Sequence, residues 1–381
     1  MSQLLHSHGM AGELVAPAWP MLAETQVQEV LLDFPQLGKL EALDWHSPRP
    51  FSAAALATTD TGEWFIKRHH PSVRTVAGLE EEHRFIAHLQ QHGCPVPQVQ
   101  LAANHHSAIE RHGWTYEIHA RAQGADRYRD AQSWEPFQHP AHAEAAGYAL
   151  AQLHRAAEGY EGAQRTANLL VSRPCWLTSA DPLATIEAQA SGLPGLARYL
   201  ASRDWRRELT ALLPLQQAAC EYLQAQPPLW THNDWHASNL LWAENPGAHE
   251  VASVLDFGLC GRTFALYDLA TALERNAIPW LGLDQGITVH ADLGTVDQLL
   301  AGYARARPLP AASIDALIAL LPVVHVDFAL SEVAYFEGLL NDRGNADVAW
   351  EGYLLRHAQW FDREEGQRLL AHLHQRRGDW Q

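Results

Sequence analysis

The sequence has few cysteines and few basic residues. Its four cysteines are far apart and form no CxxC pair, so neither a disulfide scaffold nor a cysteine zinc site is expected. Lysine and arginine together number 27 against 44 acidic residues, which gives a formal charge of −17. A chain this acidic repels nucleic-acid backbones and anionic membrane surfaces, and both partners are therefore not expected. The charge would favour cationic substrates, although solubility is the simpler explanation.

Long apolar runs are also missing. No stretch of 18 apolar residues occurs, and the first 20 residues carry neither a basic region nor a sustained apolar segment. We therefore expect a cytoplasmic protein with reduced cysteines. The 23 histidines raise the question of a metal. However, His69-His70, His105-His106 and His372-Leu-His374 have no partners at ligand spacing, so a zinc site is not expected.

The periodicity of the chain changes near Gly124. Strands are expected before it at 53–58, 64–67, 99–102, 107–110 and 114–120, with helices at 24–34 and 76–92. Helices are expected after it at 141–157, 193–200, 205–226, 295–306, 314–340 and 347–360, with two short strands at 240–243 and 251–255. The length of 381 residues suits two lobes. The sequence thus predicts an α+β bilobal fold, with a small β-rich lobe over 1–122 and a larger, mainly helical lobe over 123–381.

The most informative stretch runs from His232 to Asp256. Asp234 and Asn239 lie five residues apart before a short strand, and a second short strand leads into Asp256-Phe-Gly. Phosphoryl transfer needs an acid that orients a hydroxyl and oxygen ligands that hold Mg²⁺ across phosphates. Asp234 suits the first role, and Asn239 with Asp256 suits the second. Each motif alone is usually a turn or a helix cap, but their combination is rare.

These motifs resemble the aminoglycoside phosphotransferase and choline kinase superfamily, which has a protein-kinase-like fold. The resemblance rests on His232-Asn-Asp234, Asn239, Asp256-Phe-Gly and Tyr267-Asp268-Leu-Ala270, and it extends over about residues 40–360. Within that group the chain is similar to the homoserine-kinase-like branch. The resemblance implies an enzyme that uses ATP and Mg²⁺ to phosphorylate a hydroxyl group of a small molecule.

The resemblance also assigns roles to individual residues. Asp234 would be the catalytic base, His232 a brace of the catalytic loop, and Asp268 a structural tie to the following helix. Asn239 and Asp256 would bind the metal. Lys67, at the end of Trp64-Phe-Ile-Lys67, and Glu82 would clamp the ATP phosphates, although Glu80 and Glu81 leave the register of the glutamate open.

The remaining nucleotide contacts are expected in two segments. The phosphate-covering loop would be 45–52, which is unusual because no glycine occurs between Gly38 and Gly62 and because Pro48 and Pro50 lack an N–H group. Ser47, Arg49 or Ser52 would compensate through side chains. The main chain around Ile118 and Ala120 would bind the adenine.

Substrate recognition is the least determined part of the sequence. Trp235 and His236 adjoin the predicted base, and Glu332 and Tyr335 lie on a late helix of mixed polarity. These four residues are the candidates for an acceptor pocket. Amino alcohols, amino acids, aminoglycosides and sugars all remain as acceptors.

Two alternative functions remain. One is an atypical protein kinase, but only twelve residues separate Asp256 from Asp268, which leaves no long segment for docking a peptide. The other is a nucleotide-binding protein without catalysis, which the unusual phosphate loop keeps open.

Overall fold

The N-terminal part is built around a five-stranded antiparallel sheet. The computed structural model describes residues 7–8, 13–48, 51–131, 134–245 and 247–381. Its strands are β1 Ser7–His8, β2 Leu14–Val15, β3 Leu40–His46, β4 Ala53–Thr59, β5 Gly62–His69, β6 Ala108–Arg111, β7 Trp114–Ala120, β8 Pro228–Thr231, β9 Leu240–Trp242, β10 Val251–Val254 and β11 Gly261–Phe264. The sheet has the order β3-β4-β5-β7-β6. Strand β3 was not anticipated, and the 99–102 segment forms only one isolated bridge, between Val99 and His119.

The helices account for most of the chain after β7. They are α1 Glu24–Leu31, α2 Val76–Gln91, α3 Pro140–Ala157, α4 Pro182–Gly192, α5 Pro194–Ala201, α6 Trp205–Leu209, α7 Leu213–Gln224, α8 Ala265–Ala277, α9 Leu281–Asp284, α10 Leu293–Ala304, α11 Ala311–Leu320, α12 Val326–Tyr335, α13 Arg343–Asp347, α14 His357–Trp360 and α15 Glu364–Gln375. Short 3₁₀ turns span Pro35–Leu37, Thr210–Leu212, Ala237–Asn239 and Phe257–Leu259, and π-helical turns span Phe336–Leu340 and Val348–Arg356. The predicted α+β class, with a β-rich region followed by a helical one, is confirmed.

Two long helices of the sequence prediction are interrupted in the structure. The segment 205–226 divides into α6 and α7, and Pro214 lies in the first turn of α7. The segment 314–340 divides into α11, α12 and a π-helical turn, with Pro322 in the first gap. Proline has no N–H group to donate within a helix, so each site favours a break. In the described part of the chain, no helix is long and apolar enough to cross a bilayer.

Helix α2 lies before the predicted boundary of 122 and 123 but packs against elements on both sides of it. One buried cluster joins the sheet to α1, with Val27, Val30 and Ile66 among its members. Helix α2 contributes Phe85 and Leu89 to the other, larger cluster, which fills the helical part. The division into two lobes stays a prediction, and α2 contacts both the sheet and the helical part.

Two small ladders hold the segments that carry the motifs. Strand β8 pairs with β11, and β9 pairs with β10, each in antiparallel register. The loop 232–239 leaves β8 and enters β9, while Asp256 follows β10 and precedes β11. Residues that are distant in sequence are thereby brought to adjacent strand ends.

Candidate active site

Helix α8 anchors the loop between β8 and β9. Asp268, fully buried in its first turn, accepts hydrogen bonds from the main-chain N–H groups of His232 at 2.9 Å and Asn233 at 2.8 Å. Its Oδ2 atom also lies 3.0 Å from Nε2 of His154. In the last turn of the same helix, Asn276 accepts from the Ala237 N–H at 3.1 Å. The loop is therefore held at both ends by buried side chains of one helix.

His232 links this loop to the segment before Asp256. Its Nε2 atom donates to the carbonyl oxygen of Leu255 at 2.8 Å, and its Nδ1 atom accepts from the Asp234 N–H at 3.2 Å. The ring packs edge-on against Phe257, with the centroids 4.8 Å apart. Because both ring nitrogens bind main chain, the geometry suits a brace rather than a group that reacts with substrate.

Asp234 is surrounded by cationic and donor groups. Its Oδ1 atom lies 3.3 Å from Nη1 of Arg275, and its Oδ2 atom lies 3.5 Å from Nε2 of His236 and accepts from Nδ2 of Asn239 at 3.1 Å. Burial alone would raise the pKa of Asp234, but His236, Arg275 and His232 together hold that pKa well below its ordinary range. Asp234 is thus a carboxylate at neutral pH.

Asn239 and Asp256 have the oxygen atoms that Mg²⁺ prefers. Asn239 donates through Nδ2 to the main-chain oxygen of Asp234 at 2.9 Å as well as to its carboxylate, and no described hydrogen bond uses its Oδ1 atom. Asp256 accepts through Oδ1 from Lys67 and from the Gly258 N–H, and 43% of its side chain is exposed. An amide oxygen and an exposed carboxylate fit Mg²⁺, which also takes phosphate oxygens and water.

Asp256 also has an unusual main-chain conformation. Its φ angle is +55°, in the left-handed region, which aspartate visits more readily than most non-glycine residues. This turn ends β10 abruptly and presents the carboxylate to the strand end of β5, where Lys67 lies.

Lys67 contacts Asp256, with Nζ 3.1 Å from Oδ1. Burial would lower the pKa of Lys67, but the carboxylates of Asp256, Glu117 and Glu82 outweigh that effect and raise it. Lys67 is therefore a cation at the point where the phosphates are expected.

Glu82 forms its ion pair with Arg165. Its Oε2 atom lies 3.1 Å from Nη2 of Arg165, a fully buried residue between α3 and α4. Arg165 also donates to the carbonyl oxygens of Gly258 at 2.9 Å and Gly78 at 3.1 Å. A buried guanidinium needs a counter-charge, and Glu82 supplies it, while the role of Glu82 in binding phosphates stays a prediction. Arg165 was missed because it lies 83 residues from Glu82 in an irregular segment.

The predicted adenine contacts also need correction. The carbonyl oxygen of Ile118 already accepts from the Gln100 N–H, and the Ala120 N–H donates to the carbonyl oxygen of Gln98, both at 2.8 Å. The 98–100 segment lies along β7 and occupies these groups, so neither is free to bind a base. Ala122 follows closely, and its main-chain groups take part in no described hydrogen bond.

The predicted phosphate loop reaches the helical part through Phe51. The Phe51 ring lies edge-on to Tyr335, with the centroids 5.1 Å apart, and beside Phe336 at 6.1 Å. Ser52, proposed as a nucleotide contact, is partly buried at the start of β4. Arg49 lies outside the described residues, as does Pro50.

The four predicted acceptor residues occupy different surroundings. Trp235 is fully buried and packs against His232, so its side chain faces the core. His236 adjoins Asp234, as described above. The hydroxyl oxygen of Tyr335 accepts from Nε1 of Trp19 at 3.1 Å. Glu332 is buried, and its Oε2 atom has no hydrogen-bond partner among the described residues.

The sequence did not reveal the charged group around Arg275. The Arg275 guanidinium is 3.7 Å from Oε2 of Glu274 and 3.5 Å from the hydroxyl oxygen of Tyr353. Burial, together with the carboxylates of Asp234 and Glu274, raises the pKa of Glu332 to about 8 against the opposing effect of Arg275. The only sequence signal was a Glu-Arg-Asn run on a helix that is otherwise apolar on most sides.

Comparison with known proteins supports the fold and the family. The chain is similar in structure to an aminoglycoside phosphotransferase from Alicyclobacillus acidocaldarius, with 17% identity over 94% of this chain and 97% of that one, at a TM-score of 0.54. It is also similar to a microcompartment-associated aminopropanol kinase, with 18% identity over 92% of this chain and 98% of that one, at a TM-score of 0.54. A third similar structure is the amicoumacin kinase hAmiN in complex with AMP-PNP, Ca²⁺ and Ami. It shares 15% sequence identity over 89% of this chain and 94% of that one, at a TM-score of 0.56.

At these identities the structures establish a shared fold. A comparison with curated proteins found no match. The model of the phosphotransferase enzyme family, by contrast, matches residues 50–309, which is more than half of the chain and includes every motif described above. The chain therefore belongs to the phosphotransferase enzyme family.

Proposed function

We propose that the protein transfers the γ-phosphoryl group of ATP to a hydroxyl group of a small molecule, with Mg²⁺ as cofactor. The observation that supports this most strongly is the convergence of Asp234, Asn239, Asp256 and Lys67 from three separate segments. A carboxylate base, two oxygen ligands and a cation are the parts that phosphoryl transfer requires. Mg²⁺, when bound, would neutralise charge on the phosphates.

Each residue of the chain then has a distinct role. Asp234 accepts the hydroxyl proton and orients the hydroxyl for in-line attack. Asn239 and Asp256 hold the metal, and Lys67 binds phosphate oxygens in place of its contact with Asp256. His232 keeps the loop in position, and the main chain near Ala122 is available for the base.

The acceptor is proposed to be a hydroxylated amine. The carboxylates of Asp234 and Glu274 lie 3.3 and 3.7 Å from the guanidinium of Arg275, and the nearby carboxyl group of Glu332, whose pKa is raised to about 8, has an oxygen without a partner among the described residues. A buried acceptor atom without a partner is costly, and an ammonium group of the acceptor would satisfy it. Fold relatives that are an aminopropanol kinase and an amicoumacin kinase are consistent with such a class.

The test is ADP formation from ATP and Mg²⁺ across a panel of amino alcohols, amino acids, aminoglycosides and sugars. Turnover is expected with at least one hydroxylated amine. Asp234→Ala should lower kcat by about 10²–10⁴-fold, the usual contribution of a general base, with unchanged nucleotide affinity by calorimetry. Asp362→Ala, at an exposed aspartate, is the matched control.

Two results would contradict the proposal. Full turnover by Asp234→Ala would show that another group is the base. Absence of Mg²⁺-dependent nucleotide binding by the wild-type protein would favour a role without catalysis.

A further inference from the structure

A second group of polar side chains lies between the sheet and α2, and we call it the Glu117 cluster. It consists of His69 at the end of β5, Glu117 and His119 on β7, and His83 on α2. In the β5–β7 register, Lys67 is opposite Glu117 and Phe65 is opposite His119. Because side chains alternate along a strand, Glu117, His119 and His69 share one face of the sheet, the face that α2 covers.

The three histidines all contact one carboxylate. The Nε2 atom of His69 is 2.7 Å from Oε1 of Glu117, and the Nε2 atoms of His83 and His119 are each 2.7 Å from Oε2. The side chains of Glu117 and His83 are 2% and 3% exposed, whereas that of His119 is 13% exposed. The group is thus buried, with His119 nearest to solvent.

The arrangement has the dimensions of a metal site. The candidate ligand atoms of His83, Glu117 and His119 all lie within 4.8 Å of one another. In a tetrahedral zinc site, with bonds of about 2.0–2.1 Å, neighbouring ligand atoms are about 3.3 Å apart. Small side-chain rotations therefore suffice to bring the three atoms onto one coordination sphere.

The surroundings match those of known metal ligands. Metal-binding histidines usually use their second ring nitrogen in a hydrogen bond that fixes the ring. His83 has such a contact, because its Nδ1 atom is 2.8 Å from Oγ of Ser107. Metal binding requires an Nε2 atom without hydrogen, so the His83 ring would carry its hydrogen on Nδ1 and donate it to that hydroxyl oxygen.

We propose that the Glu117 cluster is a binding site for a zinc-class divalent ion, separate from the Mg²⁺ site. His83 and His119 bind through Nε2, Glu117 through its carboxylate, and His69 or water takes the fourth position. Two or three imidazole nitrogens with one carboxylate select Zn²⁺ over Mg²⁺, which takes oxygen ligands. The spacing of histidines in the sequence did not reveal this site, because its ligands come from three different elements.

The test measures metal binding by the full-length protein after removal of metals with a chelator. Calorimetric titration with ZnCl₂ is expected to show one Zn²⁺ ion bound tightly per protein chain, which we call the tight zinc equivalent. Excess MgCl₂ should not displace it. CoCl₂ should give the visible absorption bands of a tetrahedral nitrogen and oxygen site. Asp256→Asn should retain the zinc equivalent, since it alters only the proposed Mg²⁺ ligands.

Two variants locate the site. His119→Gln should abolish the tight equivalent, and Ser107→Ala, which removes only the hydroxyl beyond His83, should weaken zinc affinity by about 10–100-fold. The matched control is His112→Gln, in an exposed histidine–glutamate pair, where Nε2 of His112, in the turn between β6 and β7, is 2.9 Å from Oε2 of Glu29 on α1. It should leave zinc binding unchanged.

Three outcomes would overturn the proposal. The first is that the wild type binds no tight zinc equivalent. The second is that folded His119→Gln binds zinc as tightly as the wild type. The third is that His112→Gln loses as much zinc affinity as His119→Gln. The cluster would then be a hydrogen-bonded support for Glu117. If His119→Gln fails to fold, an unchanged zinc affinity in Ser107→Ala together with absent Co²⁺ bands contradicts the site equally.

Discussion

The catalytic loop and the group around Arg275 lie next to each other but differ in how their polar atoms are satisfied. In the loop, His232, Asn233 and Ala237 all bind side chains of α8, and Asp268 uses both carboxylate oxygens. Around Arg275, one oxygen of Glu274 and one of Glu332 have no hydrogen-bond partner in the described structure. The main-chain N–H groups at both ends of the loop are thus paired with side chains of α8, whereas two carboxyl oxygens of its neighbour have no partner among the described residues.

This difference separates residues that position the reacting groups from residues that bind the substrate. Groups that perform chemistry must be held in a fixed geometry before substrate arrives. A group that binds substrate leaves donors or acceptors for the ligand to satisfy. We therefore expect substitutions in the loop to lower kcat and stability, and substitutions near Glu332 to change acceptor affinity and the pH dependence of stability.

The largest effect is expected from Asp268→Ala. Two main-chain N–H groups and His154 would lose their partner in a fully buried position, which should cost about 3–5 kcal/mol of unfolding free energy. Urea denaturation measures this cost, and kcat should fall because the loop loses its anchor. An unfolding free energy equal to that of Asp362→Ala would show that α8 does not anchor the loop.

An intermediate effect is expected from the titration of Glu332. Its folded pKa of about 8 lies above its ordinary value of 4.5, so the folded protein binds a proton that the unfolded chain releases. Stability should therefore fall as pH rises from about 5 to 8, by at most about 1.4 kcal/mol per pH unit. Asp327, with a pKa of about 7, acts in the same direction.

Glu332→Gln tests this assignment. The variant should show a shallower decline in thermal stability between pH 5 and pH 8, and Asp327 and Glu274, whose pKa values are also raised by burial, contribute to the remaining slope. It should also raise KM for a cationic acceptor and leave KM for ATP unchanged. Identical pH profiles for the variant and the wild type would show that Glu332 is ionised in the folded protein.

The smallest effect is expected from Phe51→Ala. An edge-on aromatic pair contributes about 0.5–1.5 kcal/mol beyond its buried area, so loss of the contact with Tyr335 should weaken nucleotide or acceptor binding by roughly threefold to tenfold. Steady-state KM values measure this, with Phe51→Leu as the control that keeps an apolar contact. Equal KM values for all three proteins would show that the loop does not depend on Phe51.

The sequence predicted the parts of the site that are local. His232, Asp234 and Asn239 occur within one loop, and Asp256 follows a short strand, so spacing alone places them on the same side of two ladders. Strands β4 and β5, with Lys67 near the end of β5, correspond to the strands expected at 53–58 and 64–67, which are also local patterns.

The missed contacts join distant segments. Arg165 and Glu82 are separated by 83 residues, and Arg275 and Asp234 by 41, so no periodicity relates them. The Gln98–Ala120 hydrogen bond was missed because Gln98 lies just before the strand predicted at 99–102, and no local pattern shows that this segment pairs with β7. These contacts depend on how elements pack, which propensity does not determine.

The anchoring of α2 has a mechanical consequence. Its Glu82 is tied to Arg165, its His88 donates to the carbonyl oxygen of Ala156 at 2.9 Å, and its Phe85 packs against Trp230. All three partners belong to the helical part of the chain. If the sheet shifts relative to the helical part, these contacts would keep α2 with the helical part, and the contacts of His83 with Glu117 and of Glu80 with His106 are those that the shift would change.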